Sequence, residues 1–321
     1  MGACLALGLW LAFAAGCGGK FNKPVETTRI PTMGEYTCQH YAGFDGATSL
    51  SISGGTIYVA YADQAEIRAY HSIGTPVPGE YVKPFTGLTR PVLIGANLRS
   101  MAVVDRAAKD TVRVYGVLGG GPVLSFRDPD WAGISSLAVD DAGNIYVADS
   151  TKKFVRAYRP NGKPRFEIDL ADSGFGIGHV MRPAGLAFDA KGLLIAENHP
   201  EKIQVQRVST SEPQTGIVFT ASIPFLMTFV DDEGNEMPMA SPTGVAAGTD
   251  SSIFVLDQGL DMIFGFDGEG NSIAVVNSPE SGGPQDLAGM ASIAAYNEPR
   301  KPASIFVLDA AKGVIHRWDP K

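Results

Sequence analysis

"GNIYVADSTKKFVRAY", residues 143–158, reads as a strand, a polar turn and a second strand, with an acid closing the first strand. β-Branched and aromatic residues dominate both halves, and the break between them carries Ser, Thr and Lys. The same sentence returns as "SSIFVLDQGLDMIFGF" at 251–266 and "ASIFVLDAAKGVIHRW" at 303–318. Aligning the strand-end acid by eye adds Asp63, Asp105 and Glu197 to Asp149, Asp257 and Asp309. Successive acids stand 42 to 60 residues apart.

A repeat of that length belongs to a propeller or a solenoid. Each unit holds more than the quoted pair of strands. A short apolar segment precedes it ("ISSLAVD", "PAGLAFD", "PTGVAAG"), and a turn such as "RPNGKP" or "DGEGN" leads into a further strand. Four antiparallel strands per unit are the content of one blade. The expected fold is therefore all-β: a six-bladed β-propeller of four-stranded antiparallel blades. The last unit stops at "HRWDPK", after its third strand, so its fourth must come from elsewhere. "GEYTCQHYAG" (34–43) has the composition for it, and pairing this N-terminal strand with the last unit closes the ring and covers the edge that unit would otherwise leave open. The expected domain is a single propeller over 34–321, with closing strand 34–43 and repeat units from about 44. The longest interval contains "IPFLMTFVDDEGNEMPMA" (223–240), expected as a hairpin extension that packs over the neighbouring blade.

The chain has 321 residues and a formal net charge of −8. That balance, without clustered Lys and Arg, argues against a nucleic-acid partner. Residues 3–16, "ACLALGLWLAFAAG", form an uncharged apolar run, too short to span a bilayer comfortably and followed by small residues. Residues 1–16 are read as a signal peptide. The following "AAGC" (14–17) resembles a bacterial lipobox, with Ala14 in place of the usual Leu. That resemblance makes Cys17 the lipidation site and implies a lipoprotein of the cell envelope, exported across the inner membrane and held at the outer membrane, facing periplasm or surface. The acyl anchor makes the membrane a partner. Residues 17–33 are expected as the lipidated cysteine and a flexible tether. Cys4 leaves with the signal and Cys17 is acylated, so Cys38 has no disulfide partner and is expected as a buried small hydrophobe.

"ISSLAVDDAGNIYVADSTKKFVRAYRPNGKPRFEID" (134–169) resembles an NHL repeat, with small-apolar-Asp, Asp-x-Gly-Asn, Tyr-Val-x-Asp, an aromatic and Asn-Gly in order. "RPAGLAFDAKGLLIAENHPEKIQVQRV" (182–208) and "SPTGVAAGTDSSIFVLDQGLDMIFGFDGEGN" (241–271) follow the pattern more loosely, and the second unit lacks the Asp-x-Gly-Asn turn. The resemblance extends over about 42–321 and implies the same six-bladed ring. Calcium-dependent lactonases are similar in layout and place Glu, Asn and Asp around the axis. Glu197, Asn198 and Asp257 are the comparable residue types here, without a family motif around them. Together with Asp149 they are the candidate cation ligands. The competing role for a strand-end Asp is structural, accepting backbone N–H bonds in a turn, where Asn would substitute mildly. The five histidines, His40, His71, His179, His199 and His316, show no i,i+2 or i,i+4 pairing among themselves, and no catalytic residue or cofactor is assigned. The expected function is a binding module for a protein or glycan partner. The alternative is a cation-dependent, lactonase-like hydrolase or lyase with its site at the axis.

Overall fold

The computed structural model describes residues 27–30, 36–72, 77–79, 81–107, 109–168, 180–208, 210, 228–230, 234–277, 287 and 289–320. The signal peptide, Cys17 and His179 lie outside the described residues. Two N-terminal strands come first: β1 (Thr27–Ile30) and β2 (Tyr36–Ala42). Blade 1 holds β3 (Ala47–Ser53), β4 (Thr56–Tyr61) and β5 (Glu66–His71). Blade 2 holds β6 (Pro91–Ala96), β7 (Ser100–Arg106), β8 (Asp110–Gly116) and β9 (Leu124–Phe126). Blade 3 holds β10 (Ile134–Val139), β11 (Ile145–Asp149), β12 (Phe154–Tyr158) and β13 (Pro164–Ile168). Blade 4 holds β14 (Pro183–Asp189), β15 (Gly192–His199) and β16 (Lys202–Val208). The short strands β17 (Thr228–Val230) and β18 (Glu236–Pro238) pair with each other. Blade 5 holds β19 (Pro242–Ala247), β20 (Ile253–Asp257), β21 (Met262–Phe266) and β22 (Ser272–Asn277). Blade 6 holds β23 (Met290–Asn297), β24 (Ala303–Asp309) and β25 (Val314–Pro320).

Every ladder in the blades is antiparallel, and the sixth blade is completed from the other end of the chain. Strand β2 pairs with β25 over seven residues, from Tyr36↔Pro320 to Ala42↔Val314. Strand β1 adds outside it, from Thr27↔Gln39 to Ile30↔Tyr36. Four residues of the expected tether are thus strand. "TTRI" is rich in β-branched residues, and the outer edge of β2 offers unpaired backbone groups for it to meet. Blades 1 and 4 show three strands each among the described residues.

The second strands are buried along their length rather than on alternate residues, with the acid as the polar exception near the end; all five residues of β11 and β20 and all seven of β24 are buried. A blade has another blade on each side, so its central strand has no wet face. The core is divided accordingly into six apolar clusters, one between each pair of neighbouring blades. The cluster of Tyr41, Leu50, Val59, Phe306 and Leu308 joins blade 6 to blade 1 and closes the ring. The β17–β18 hairpin lies against blade 5: Phe229 is buried and stacks on Phe264 at 5.3 Å. Phe229 and Met237 join the apolar cluster between blades 4 and 5, while Val230 is exposed.

The first strands, β3, β6, β10, β14, β19 and β23, line the axis. All six carry a register shift near their start, such as Ile134/Ser136 and Pro242/Gly244. Serine hydroxyls just inside those bulges accept N–H bonds from the next blade: Ser292 from Leu50, Ser49 from Ile94 and Ser136 from Leu186. The inner strands approach so closely that a Cβ on Gly95 would stand 2.8 Å from the Leu137 carbonyl oxygen. Gly95→Ala is therefore expected to push blades 2 and 3 apart and cost about 1–3 kcal/mol, read as a lower denaturant midpoint with an unchanged m-value.

Candidate functional site

The strand-end acids are buried and tied to backbone. Asp149 accepts from Ala132 and Gly133 N–H through Oδ2 (2.7 and 2.9 Å) and from Thr151 and Lys152 N–H through Oδ1 (3.0 and 2.8 Å). One carboxylate thus joins the crossover entering the blade to the turn leaving its second strand. Asp257 repeats the pattern with Ala240, Ser241, Gly259 and Leu260. Glu197 accepts from Met181 and Arg182 N–H through Oε2. Asp105 takes Thr89 and Arg90 N–H together with the Arg113 guanidinium at 2.6 Å.

Blade 1 breaks the series. Ladder register places Tyr61, opposite Ala47, where blade 3 has Asp149, opposite Ile134. Tyr61 is buried with its hydroxyl 3.2 Å from that of Tyr70. Asp63 lies two residues beyond, in the turn, with its side chain 88% exposed. Asp63 therefore matches the series in residue type but not in register.

Among the described residues, the side chains grouped within metal-ligand reach do not include Asp149, Glu197 or Asp257. Each carboxylate serves its own blade. Asn198 follows Glu197 in β15 and pairs with Ile203 of β16. Its side-chain oxygen is buried and accepts no hydrogen bond. His199 caps the next turn, its Nδ1 accepting from Glu201 N–H at 3.2 Å. The Asp-x-Gly-Asn stretch is also a turn device. Asp140 accepts from Asn144 N–H and Nδ2 (2.8 Å each), and Gly143 supplies the positive φ of 83°. The same bonds recur at Asp267 and Asn271, on a different turn of blade 5.

A concave site lies at the opposite end of the ring from these acids. Turns between first and second strands surround a cavity of about 410 Å³ on the axis, to which all six blades contribute. Leu50, Ile94, Leu137, Leu186, Val245 and Ile293 form its inner wall. Ser53, Asn97, Asp141 and Thr249 supply polar groups nearer the mouth, with Phe188 and Tyr296 as aromatic faces. Leu98 stands at the rim, 71% exposed. A second depression of about 640 Å³ adjoins it, sharing Asp141, Phe188, Ala247 and Thr249 and adding Asp189 and Lys191. Asp189 is held by the fully buried Arg207. Asp141 is the one carboxylate among the described residues lining the axial cavity, and no histidine lines it.

The closing ladder creates another grouping. Cys38 and His40 stand two apart on β2, and His40 lies directly opposite His316 on β25. The two Nδ1 atoms face each other at 2.5 Å, and Cys38 Sγ lies 3.8 Å from His40 Nε2. Burial and the neighbouring His40 push the His316 imidazole down to about 4, against the pull of Asp309, so it is neutral at pH 7. The i,i+2 spacing of Cys38 and His40 was visible in sequence. Their meeting with a residue 276 positions away was not.

No model of a known protein family matches the chain, and no curated protein matches it either. Solved structures do. A gluconolactonase from Xanthomonas campestris aligns over 96% of this chain and 99% of its own, with a TM-score of 0.56 at 12% identity. Virginiamycin B lyase from Staphylococcus aureus aligns over 89% and 100%, with a TM-score of 0.54 at 13% identity. A chain of the nidogen/laminin complex aligns over 79% and 93%, also with a TM-score of 0.54 at 13% identity. Two of these neighbours are named as enzymes and one comes from a binding complex, so what this chain shares with them is the six-bladed β-propeller fold.

Proposed function

We propose that this chain is a binding module that receives a protein or glycan partner at the axial mouth, on the face opposite the strand-end acids. The observation that carries this reading is the lining of the mouth. It offers apolar wall, neutral hydroxyl and amide groups, two aromatic faces and an exposed leucine at the rim. Such a surface suits shape-selective burial with a few orienting hydrogen bonds. Among the described residues Asp141 is the one carboxylate lining the cavity, so acid–base chemistry at the axis would rest on that single group. Membership of the NHL-repeat group belongs to the same proposal, supported by the ordered motifs in 134–169. So does a lipid anchor at Cys17, supported by the apolar run and "AAGC". Nine residues lie between Cys17 and β1, ten Cα–Cα steps that reach at most about 35 Å. An acylated chain would therefore hold the seam of blade 6 close to the membrane of the cell envelope.

The test uses a glycan array and cross-linking to purified envelope proteins. A partner captured by the wild type is expected to bind Leu98→Asp at least about tenfold more weakly, a loss of 1.4 kcal/mol or more, with the melting temperature unchanged. A partner that binds wild type and Leu98→Asp equally places binding elsewhere. Calcium-dependent turnover of a lactone panel, lost in Asp141→Asn, would replace binding with the hydrolase or lyase alternative.

A further inference from the structure

We propose that Cys38, His40 and His316 form a zinc site that clasps the two ends of the chain at the blade 6 seam. One ligand atom from each residue lies within 4.8 Å of the others. Thiolate and imidazole together suit a borderline-soft divalent ion, and zinc takes this donor set tetrahedrally. Two nitrogens on such an ion stand about 3.3 Å apart, given Zn–N bonds of about 2.0–2.1 Å. The Nδ1 atoms now face each other at 2.5 Å, so the rings need part by less than about 1 Å. Ladder geometry supplies the rest. Residues 38 and 40 share a face of β2, and His316 is the cross-strand partner of His40.

A second observation points the same way. His316 is 4% exposed, and its buried Nε2 has no hydrogen-bond partner. Asp309 Oδ2 lies 3.8 Å from it, also buried. A metal-bound histidine commonly donates its other ring N–H to a carboxylate. With the proton on Nε2 directed at Asp309, Nδ1 presents its lone pair toward His40. Lys312 Nζ, 3.2 Å from the same carboxylate oxygen, is the other charge in contact with Asp309 and partly offsets it. Binding releases the Cys38 thiol proton to solvent and leaves the thiolate on the metal. The three ligands come from the N-terminal and C-terminal strands, so the ion would couple ring closure to metal supply. The site is separate from the axial mouth and does not depend on the function proposed there.

The test titrates the purified full chain, stripped with chelator, with Zn²⁺ and with Co²⁺ as the spectroscopic probe. The expected result is one equivalent bound, a raised melting temperature, and a Co²⁺ spectrum combining intense tetrahedral absorption with a thiolate charge-transfer band. Cys38→Ser removes that band and weakens zinc binding at least tenfold. His40→Gln, at a half-buried position that tolerates polarity, weakens it comparably and keeps the test valid if the cysteine variant folds poorly. His71→Gln leaves binding unchanged. Absence of stoichiometric binding, a Co²⁺ complex without the thiolate band, or wild-type affinity in both site variants would overturn the proposal.

Discussion

Deletion of residues 1–43 will abolish cooperative unfolding of the ring. The truncated chain lacks β2, which pairs with β25 over seven residues and buries Tyr36, Cys38 and Tyr41. Tyr36 packs edge-on against Phe254 of blade 5 at 6.4 Å, so its loss reaches into the adjoining blade. Trp318, fully buried beside it, would be uncovered. Each fully buried apolar side chain contributes about 1.5–3 kcal/mol and each ladder hydrogen bond about 1 kcal/mol. Their sum rivals the about 5–15 kcal/mol that holds an ordinary domain together. The newly exposed edge of β25 would also invite pairing between molecules. Deletion of residues 1–26 leaves β1 and β2 in place and is the control. Calorimetry is expected to show a single transition for the control and none, or aggregation, for the longer deletion. A 44–321 chain that melts cooperatively at the full-length temperature would show that another strand completes blade 6.

The second large effect is expected at Asp149. Its carboxylate is fully buried and accepts four backbone hydrogen bonds from two separate loops. Hydrogen bonds to a charged group contribute about 1.5–3 kcal/mol each, though not additively. Thr151 and Lys152 are exposed and their N–H groups regain water after truncation, so Asp149→Ala is expected to cost about 3 kcal/mol. Asn was the mild replacement expected of a turn residue in the sequence. The structure changes that expectation, because both carboxylate oxygens are in use. An amide keeps one acceptor and turns its NH₂ toward two N–H donors, so Asp149→Asn should recover less than half of the loss. Denaturant melts of the three proteins, with and without chelator, measure this. Chelator that lowers the wild-type midpoint and leaves Asp149→Asn unaffected would make the strand-end acid a cation ligand.

The ring was legible in the sequence because blade faces impose apolar second strands and the turns repeat their chemistry. "IYVAD", "IFVLD" and "IFVLD" mark the same buried position in blades 3, 5 and 6. Blade 1 was misaligned because its second strand ends on Tyr61, and an aromatic there fills space that a carboxylate fills elsewhere with hydrogen bonds. Residues 27–30 read as tether because local composition does not reveal that the edge of β2 is available to pair. An axial site was expected from the ring, but the lining of the axial cavity was not legible. Its wall is made of ordinary first-strand residues such as Leu50 and Val245, which acquire meaning only when six of them meet on one axis. The pairing of His40 with His316 is equally a product of topology: it exists because the chain's two ends share one sheet.

That shared sheet underlies the ring, the seam grouping and the orientation of both faces. Hydrogen exchange along β2 and β25 tests it most directly. Amides of Tyr36–Ala42 are expected to be protected together with those of β25 and of the buried β24, exchanging only when the whole ring opens. Free exchange across 36–42 beside a protected β24 would contradict closure of the propeller by its N-terminal strand.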